Sequence, residues 1–273
     1  MNICGHSRRG RAQVGSGDFT LARESGGMQA PYQCRAAIYI VIAVAFGFLS
    51  TPSFAAAPPS RAAAVEALAH RYYTFAWNAN PTGMTDLGLH TADDRLADFS
   101  DQADQAYGRG LRGFRDELAS LAPGGTSVHD RVNYLLLRAD IEGDWWQRTY
   151  LRSREINPSI YEEECTNGIF TLLKKPFASN AVRAHDAAAR MRQCDRIFSQ
   201  AQHNLAQPVR EFGIIASQEM AGADPLFTQS LEAIAPGLSA AQKAELYSAR
   251  DQALSALHHY KRWVDAHVKR WKN

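Results

Sequence analysis

The sequence predicts an all-α protein, an irregular multi-helix bundle preceded by a disordered N-terminus and a hydrophobic signal segment. Over residues 58–273, apolar residues recur three, four or seven positions apart, which is the repeat of a helix with one buried face. Proline, glycine and asparagine clusters divide this region into segments of helical length. No strand-like alternation interrupts the pattern, so we expect helices joined by short loops.

The first 27 residues have a different composition from the rest of the chain. They are rich in glycine, serine and arginine and lack an apolar repeat, which predicts disorder. A second hypothesis is that Met28 is the true start and that 1–27 is a mis-annotated extension. The reason is that an export signal normally begins within a few residues of its basic segment. A peptide from 1–27 found in the native precursor would contradict this hypothesis.

Residues 28–57 have the organisation of a secretory signal peptide. Arg35 precedes an uncharged apolar run, and small residues follow with cleavage sites around Ser53-Phe54-Ala55 and within 54–57. The alternative is an uncleaved inner-membrane anchor through 36–57, although a full span needs about 20 apolar residues. We therefore expect an exported, periplasmic protein that contacts a membrane only if the signal is retained. Residues 58–273 form the predicted helical domain.

Charge balance excludes one class of partner. The chain has 30 basic and 28 acidic residues, and its formal net charge of +2 comes from the N-terminal 57 residues. Nucleic-acid binding needs a strong basic surface, which this helical domain lacks.

The stretch 127–161 is predicted to be the central helix of the domain. Ser127 and Asp130 have the spacing of a capping box at its start, and Asn157-Pro158 is expected to end it. Two apolar lines run along the helix, and we expect other helices to cover both. The first line is Val128, Val132, Leu135, Leu136, Ala139, Trp146 and Tyr150; the second is Tyr134, Leu137, Ile141 and Trp145.

The remaining helices are predicted from the same apolar repeat and from breaks at proline and glycine. Residues 84–100 are expected to form a structured loop, and 167–173 a short helical or extended patch. The predicted helices cover 61–77, 101–122, 181–206, 209–220, 226–234 and the region from Ser239 toward Trp271.

Two cysteines lie in the helical domain, Cys165 and Cys194. In an oxidising compartment they could form a disulfide. The alternative is two separate buried thiols, which pack as small apolar groups. Because sequence spacing alone cannot place the two sulfur atoms within bonding reach, we favour the two separate thiols.

Three groups of residues invite a chemical interpretation. His90 with Asp93 and Asp94 is either a binding cluster on a loop or a set of hydrogen bonds that orders that loop. The acidic run 162–164 could supply an acid and a base, or it could be a solvated helix start. The histidines at 258, 259 and 267 lack the i, i+4 spacing of a zinc motif, which favours a surface role.

Several local patterns, in order along the chain, resemble one bacterial family. Asn157-Pro158 followed by Tyr161, the apolar patch 168–173, and Tyr260 with Trp263 are similar to its later motifs. The early family pattern, Thr-x-Leu-Gly-x-His with later acidic and serine positions, matches Thr85, Leu87, Gly88, His90, Asp93, Leu96, Asp98 and Ser100. The chain thus resembles the "domain of unknown function 885" family over about residues 61–270. Members of that family are helical and resemble gluzincin metallopeptidases.

This resemblance implies a zinc site, H-E-x-x-H with a later glutamate, in the C-terminal half of the longer family members. None of the nine histidines here lies in such a motif, so no zinc ligand and no catalytic residue can be assigned. We therefore expect this chain to have no cofactor. We also expect it to correspond to the N-terminal half of such a protein, left by truncation, frameshift or gene decay. Full-length relatives are expected to take a peptide-like substrate, and His90, Asp93 and Tyr161 are candidate cleft residues here.

Two other functions remain open from the sequence. One is a free-standing periplasmic helical protein that binds a ligand or a partner. The other is an independent hydrolase built on Glu162, Glu163 and Glu164.

Overall fold

The computed structural model describes residues 60–121 and 127–272. The regular secondary structure in this part of the chain is helical, apart from an isolated bridge between Val209 and Lys272, which confirms the predicted fold class. The predicted segments 1–27 and 28–57 lie outside the described residues. The helices are α1 (Arg61–Ala79), α2 (Pro81–Asp86), α3 (Asp101–Ser120), α4 (Val128–Trp146), α5 (Ser153–Ile156), α6 (Ser159–Leu173), α7 (Asn180–Met191), α8 (Cys194–Asn204), α9 (Arg210–Ala221), α10 (Asp224–Glu232) and α11 (Ala240–His267).

Serine side chains start several of these helices. Ser127 accepts a hydrogen bond from the Asp130 backbone N–H, and Asp130 accepts one in return from the Ser127 N–H. Ser239 and Gln242 form the same reciprocal pair at α11. These bonds satisfy N–H groups that the first turn of a helix leaves without partners. The predicted capping box at 127–130 is therefore confirmed.

The helices pack around two hydrophobic cores. The larger core is built from α6 to α11, and it includes Tyr161, Phe198, Phe227 and Tyr260. The smaller core lies between α1, α3 and α4, with Leu68, Leu111 and Ile141 fully buried. The prediction that the 127–161 helix is the centre of the domain is therefore wrong, because α4 belongs to the smaller core.

The predicted central helix is also interrupted. A five-residue π-helix follows α4 over Gln147–Leu151, and Arg152 then takes a left-handed conformation with φ of 54°. The Arg152 N–H donates to the Gln147 carbonyl and closes this wide turn. Neither glycine nor proline marks the position, so the sequence signal pointed instead to Asn157-Pro158, farther along the chain.

Three other boundaries differ from the predictions. The expected 84–100 loop begins within α2, where the Asn80 side chain accepts from the Gly83 N–H and Pro81 occupies the first turn. The patch predicted at 167–173 is the end of the longer helix α6. The helix predicted over 181–206 is split at 192–193, although its apolar repeat continues through the break.

Among the residues that the structure describes, Arg190 of α7 is the largest fully buried side chain, and it joins α7 to three other segments. Its guanidinium donates to the Gly168 carbonyl at 2.5 Å and to Thr171 Oγ1 at 3.3 Å, both on α6. It also donates to Thr85 Oγ1 of α2 at 2.6 Å and to the Ala92 carbonyl at 3.2 Å. A buried charge requires such partners, so α2 and the segment 87–100 are held against α6 and α7.

A disulfide joins Cys165 of α6 to Cys194 of α8, with Cα atoms 5.5 Å apart. Both cysteines are fully buried in the larger core. Our preference for two separate thiols is therefore wrong. The sequence separation of 29 residues gave no indication that the two helices cross at this point.

No helix among the described residues combines the length and the apolar character needed to cross a membrane.

We predict that Arg190→Lys lowers the free energy of unfolding by roughly 3–5 kcal/mol, because lysine cannot reach all these acceptors from one position. The matched control is Arg192→Lys, since Arg192 is an exposed partner of Glu245 and its replacement should cost about 1 kcal/mol or less. Urea unfolding followed by circular dichroism measures both values. Equal losses in the two variants would contradict the structural role of Arg190.

Candidate functional site

The structure brings together His90 and Asp93, two of the three predicted cleft residues. His90 Nδ1 lies 2.8 Å from Asp93 Oδ2, and the His90 ring stacks on Phe177 with ring centroids 3.7 Å apart. Asp93 is buried, and its Oδ1 accepts a hydrogen bond from Thr85 Oγ1 at 2.6 Å. Because Thr85 also binds Arg190, this geometry favours the loop-ordering interpretation. A binding role for the pair stays a prediction.

Tyr161, the third predicted cleft residue, lies elsewhere. Its ring is fully buried in the larger core, and its hydroxyl donates to the Arg154 carbonyl at 2.5 Å. Burial raises the pKa of Tyr161 to about 12. The structure therefore does not group Tyr161 with His90 and Asp93.

The acidic run 162–164 does not form one site. Glu162 is only 4% exposed, whereas Glu163 lies on the surface. Glu164 accepts hydrogen bonds from the Ala97 N–H at 2.7 Å and from Thr82 Oγ1 at 2.9 Å. Successive side chains on a helix point about 100° apart, so the three carboxylates lie in different surroundings.

The described residues do not fit the zinc site that the family resemblance implies for longer proteins. Within 60–121 and 127–272, no three histidine, cysteine, aspartate or glutamate side chains converge in a way that could hold a metal ion. His258 contacts Asp224 at 2.8 Å, and His267 Nδ1 contacts the Trp263 carbonyl at 2.7 Å. These histidines have local partners of their own.

A large open cavity lies between α1, α3, α4 and the segment 95–99. Its volume is about 970 Å³, at the upper end of the range for ligand pockets. Its aromatic lining residues are Tyr72, Tyr73, Trp77, Phe99, Tyr107 and Trp146. We call this space the tyrosine cavity.

Three tyrosine hydroxyls meet two aspartates on the α4 wall of the tyrosine cavity. Asp144 Oδ2 accepts hydrogen bonds from Tyr72 and Tyr107, both at 2.7 Å. One turn earlier, Asp140 Oδ2 accepts a hydrogen bond from Tyr73 at 2.6 Å. Burial and the neighbouring carboxylates raise the pKa of Tyr73 to about 12 and those of the other two phenols well above their ordinary value. The phenols are therefore neutral donors.

Our sequence interpretation did not identify this cavity. A signal was present, because Asp140 and Asp144 stand four residues apart and so share one face of a helix. Their tyrosine partners come from α1 and α3, so only the packing of three helices brings the site together.

The first apolar line of α4 is exposed. Side chains on this line lie on the surface, with Val128 82% and Leu136 59% exposed, while the second line is buried against α1 and α3. The expectation that helices cover both lines is therefore wrong for the described residues. We call this surface the α4 face; it comprises Val128, Val132, Leu135, Leu136, Trp146 and Tyr150. Trp146 also lines the tyrosine cavity, so the two surfaces are continuous.

One solved structure has the same fold over most of this chain. It is that of a protein from Shewanella oneidensis described as a "putative lipoprotein of unknown function". The TM-score is 0.68 at 22% identity, and the match covers 78% of this chain. This chain spans only 38% of the length of the Shewanella protein. Among curated proteins, none matches the sequence significantly.

The sequence comparison with protein families agrees with the motifs identified above. The model of a bacterial protein family of unknown function, DUF885, matches residues 81–272. That range contains α2 to α11, the segment 87–100 and the Arg190 network. The chain therefore belongs to the DUF885 family of bacterial proteins.

Proposed function

We propose that this chain is the exported, periplasmic N-terminal portion of a metallopeptidase-like protein, and that it shapes a substrate cleft without catalysing a reaction by itself. The observation that carries the proposal is the α4 face. A water-exposed helix face with this many large apolar side chains is typical of a surface that another polypeptide covers.

The length of the Shewanella protein supports an occupant for this face. More than half of that protein lies outside the region that resembles this chain. We propose that polypeptide equivalent to this additional region packs on the α4 face. Since Trp146 belongs to both the α4 face and the tyrosine cavity, the same polypeptide would also cover the opening of the cavity. The cavity would then become part of an enclosed cleft.

The sequence and the described side chains support the absence of independent catalysis. The chain contains no H-E-x-x-H motif. The acidic run 162–164, which could have formed an acid–base pair, has carboxylates in three separate environments. A hydrolase that uses a pair of carboxylates as acid and base needs both groups directed at one substrate.

A second function is favoured by the tyrosine cavity. A free-standing periplasmic binding protein would use a pocket of this size and aromatic character without any further polypeptide. In that case the purified chain would be a folded monomer that does not self-associate.

The α4 face can be tested with Val128→Lys/Leu136→Lys. We predict that the purified parent chain binds the apolar dye ANS and self-associates, and that this double variant lowers dye fluorescence about threefold or more. Lysine is a good helix former, so the fold should be unchanged. ANS fluorescence and sedimentation velocity provide the measurement.

The matched control is Val182→Lys/Ile214→Lys, which changes two exposed apolar residues on α7 and α9. It should leave dye binding and association nearly unchanged. A parent chain that stays monomeric and binds no more dye than the α4 variant would reject the proposal and favour the free-standing binding protein.

Glu162 is expected to affect stability. Burial raises its pKa to about 7, with contributions from Glu219 and Glu163, against an ordinary value of 4.5. The folded chain therefore holds a proton that the unfolded chain releases, and stability falls as pH rises from about 4.5 to 7. We predict that Glu162→Gln is more stable than the parent by about 1–3 kcal/mol at pH 8.5 and nearly equal to it at pH 4.

Urea unfolding at both pH values measures this difference, with Glu66→Gln on the exposed side of α1 as the control. If Glu162→Gln is less stable than the parent at pH 8.5, the charged form of the carboxylate stabilises the fold. That result would reopen a functional role for the acidic run.

A further inference from the structure

We propose that the tyrosine cavity binds an organic ligand that carries a primary ammonium group, as in a polyamine or a lysine side chain. This inference goes beyond the proposed function and does not depend on whether the α4 face is covered. It rests on the size of the cavity, its aromatic walls and the charges that remain without an ionic partner inside it.

The walls of the cavity suit an organic cation. A volume of about 970 Å³ accommodates a ligand of many atoms rather than a single ion. Aromatic rings attract cations through the negative charge on their faces, and tryptophan does so most strongly. The cavity has Trp77 on α1 and Trp146 at the end of α4, in addition to Tyr72, Tyr73 and Tyr107.

The two carboxylates on the α4 wall lack a positive partner. No ion pair joins Asp140 or Asp144 to a basic side chain within the described parts of the chain. Their hydrogen bonds come from neutral phenols, and each of these bonds ends on Oδ2. The Oδ1 atoms therefore remain available, and the negative charges are solvated without being cancelled.

The other charged groups of the cavity have ionic partners or lie on a different wall. Asp104 pairs with Arg148 at 2.7 Å, and Asp98 approaches Arg196 at 3.5 Å. Arg154 pairs with Asp101. Arg95 is exposed and belongs to the segment 95–99, opposite α4.

The remaining balance places two negative charges on the α4 wall and one positive charge on the opposite segment. An ammonium group would donate to Asp140 and Asp144 while its carbon chain contacts the aromatic rings. A ligand with an anionic end could also contact Arg95. An uncharged ligand would use the rings but leave the carboxylates without compensation.

Isothermal titration calorimetry on the full chain tests the proposal. Spermidine and the capped peptide acetyl-Ala-Lys-Ala-amide serve as the two ammonium probes, and 1,8-octanediol as a neutral chain of similar length. We expect binding of at least one ammonium probe, a weaker affinity at higher salt, and no binding of the diol. Binding of spermidine alone would assign a polyamine, and binding of the capped peptide would assign a lysine side chain.

Two variants establish where the probe binds. Asp144→Asn and Asp140→Asn keep the shape of each side chain but remove its charge, and each should weaken binding about tenfold. Asp140 lies on the surface, so its replacement is expected to fold even if that of Asp144 is destabilising. The control is Asp116→Asn, an exposed charge on α3 that does not line the cavity, and it should bind as the parent does.

Three results would overturn the proposal. The first is no binding of either ammonium probe to the folded parent chain. The second is equal affinity for the parent and for Asp140→Asn. The third is binding of the diol as strong as that of the ammonium probes, which would indicate a purely apolar site. None of these results would affect the dye-binding test of the α4 face, so the two proposals can fail separately.

Discussion

The fold depends on the burial of one positive charge. Arg190 is withdrawn from water completely, and its guanidinium must find acceptors inside the protein. These acceptors come from α2, α6 and the segment 87–100, which has no regular structure of its own over most of its length. Helix α6 and the break between α7 and α8 add further bonds, since Glu164 accepts from the Ala97 N–H and Gln193 accepts from the Leu96 N–H. An irregular segment is thereby fixed in one position.

That position determines the shape of the tyrosine cavity. The segment 95–99 forms one wall, and the smaller core of α1, α3 and α4 holds the opposite wall. The larger core and its buried disulfide support the segment from behind. The disulfide and most of the buried apolar side chains lie in the larger core, while the tyrosine cavity and the α4 face border the smaller core. This division agrees with our proposal that further polypeptide packs on the α4 face.

The sequence was informative where structure is determined locally. Ser127 and Ser239 cap their helices as short-range hydrogen bonding requires, and the apolar repeats located the helices. Prediction from the sequence failed where burial depends on residues far away in the chain. The apolar repeat on α4 predicts an apolar face, but it does not show whether another helix of this chain packs on that face. Arg190 could not be recognised as buried, because arginine is usually exposed. The three tyrosines around Asp140 and Asp144 are brought together only by tertiary packing.

We propose that another polypeptide covers the α4 face in the cell. Hydroxyl-radical footprinting can compare the purified chain with the same chain inside its producing cells. We expect strong labelling of Val128, Leu136 and Tyr150 in the purified chain and clear protection of all three in cells, with Val182 labelled equally in both. Equal labelling of the α4 face in both samples would contradict it.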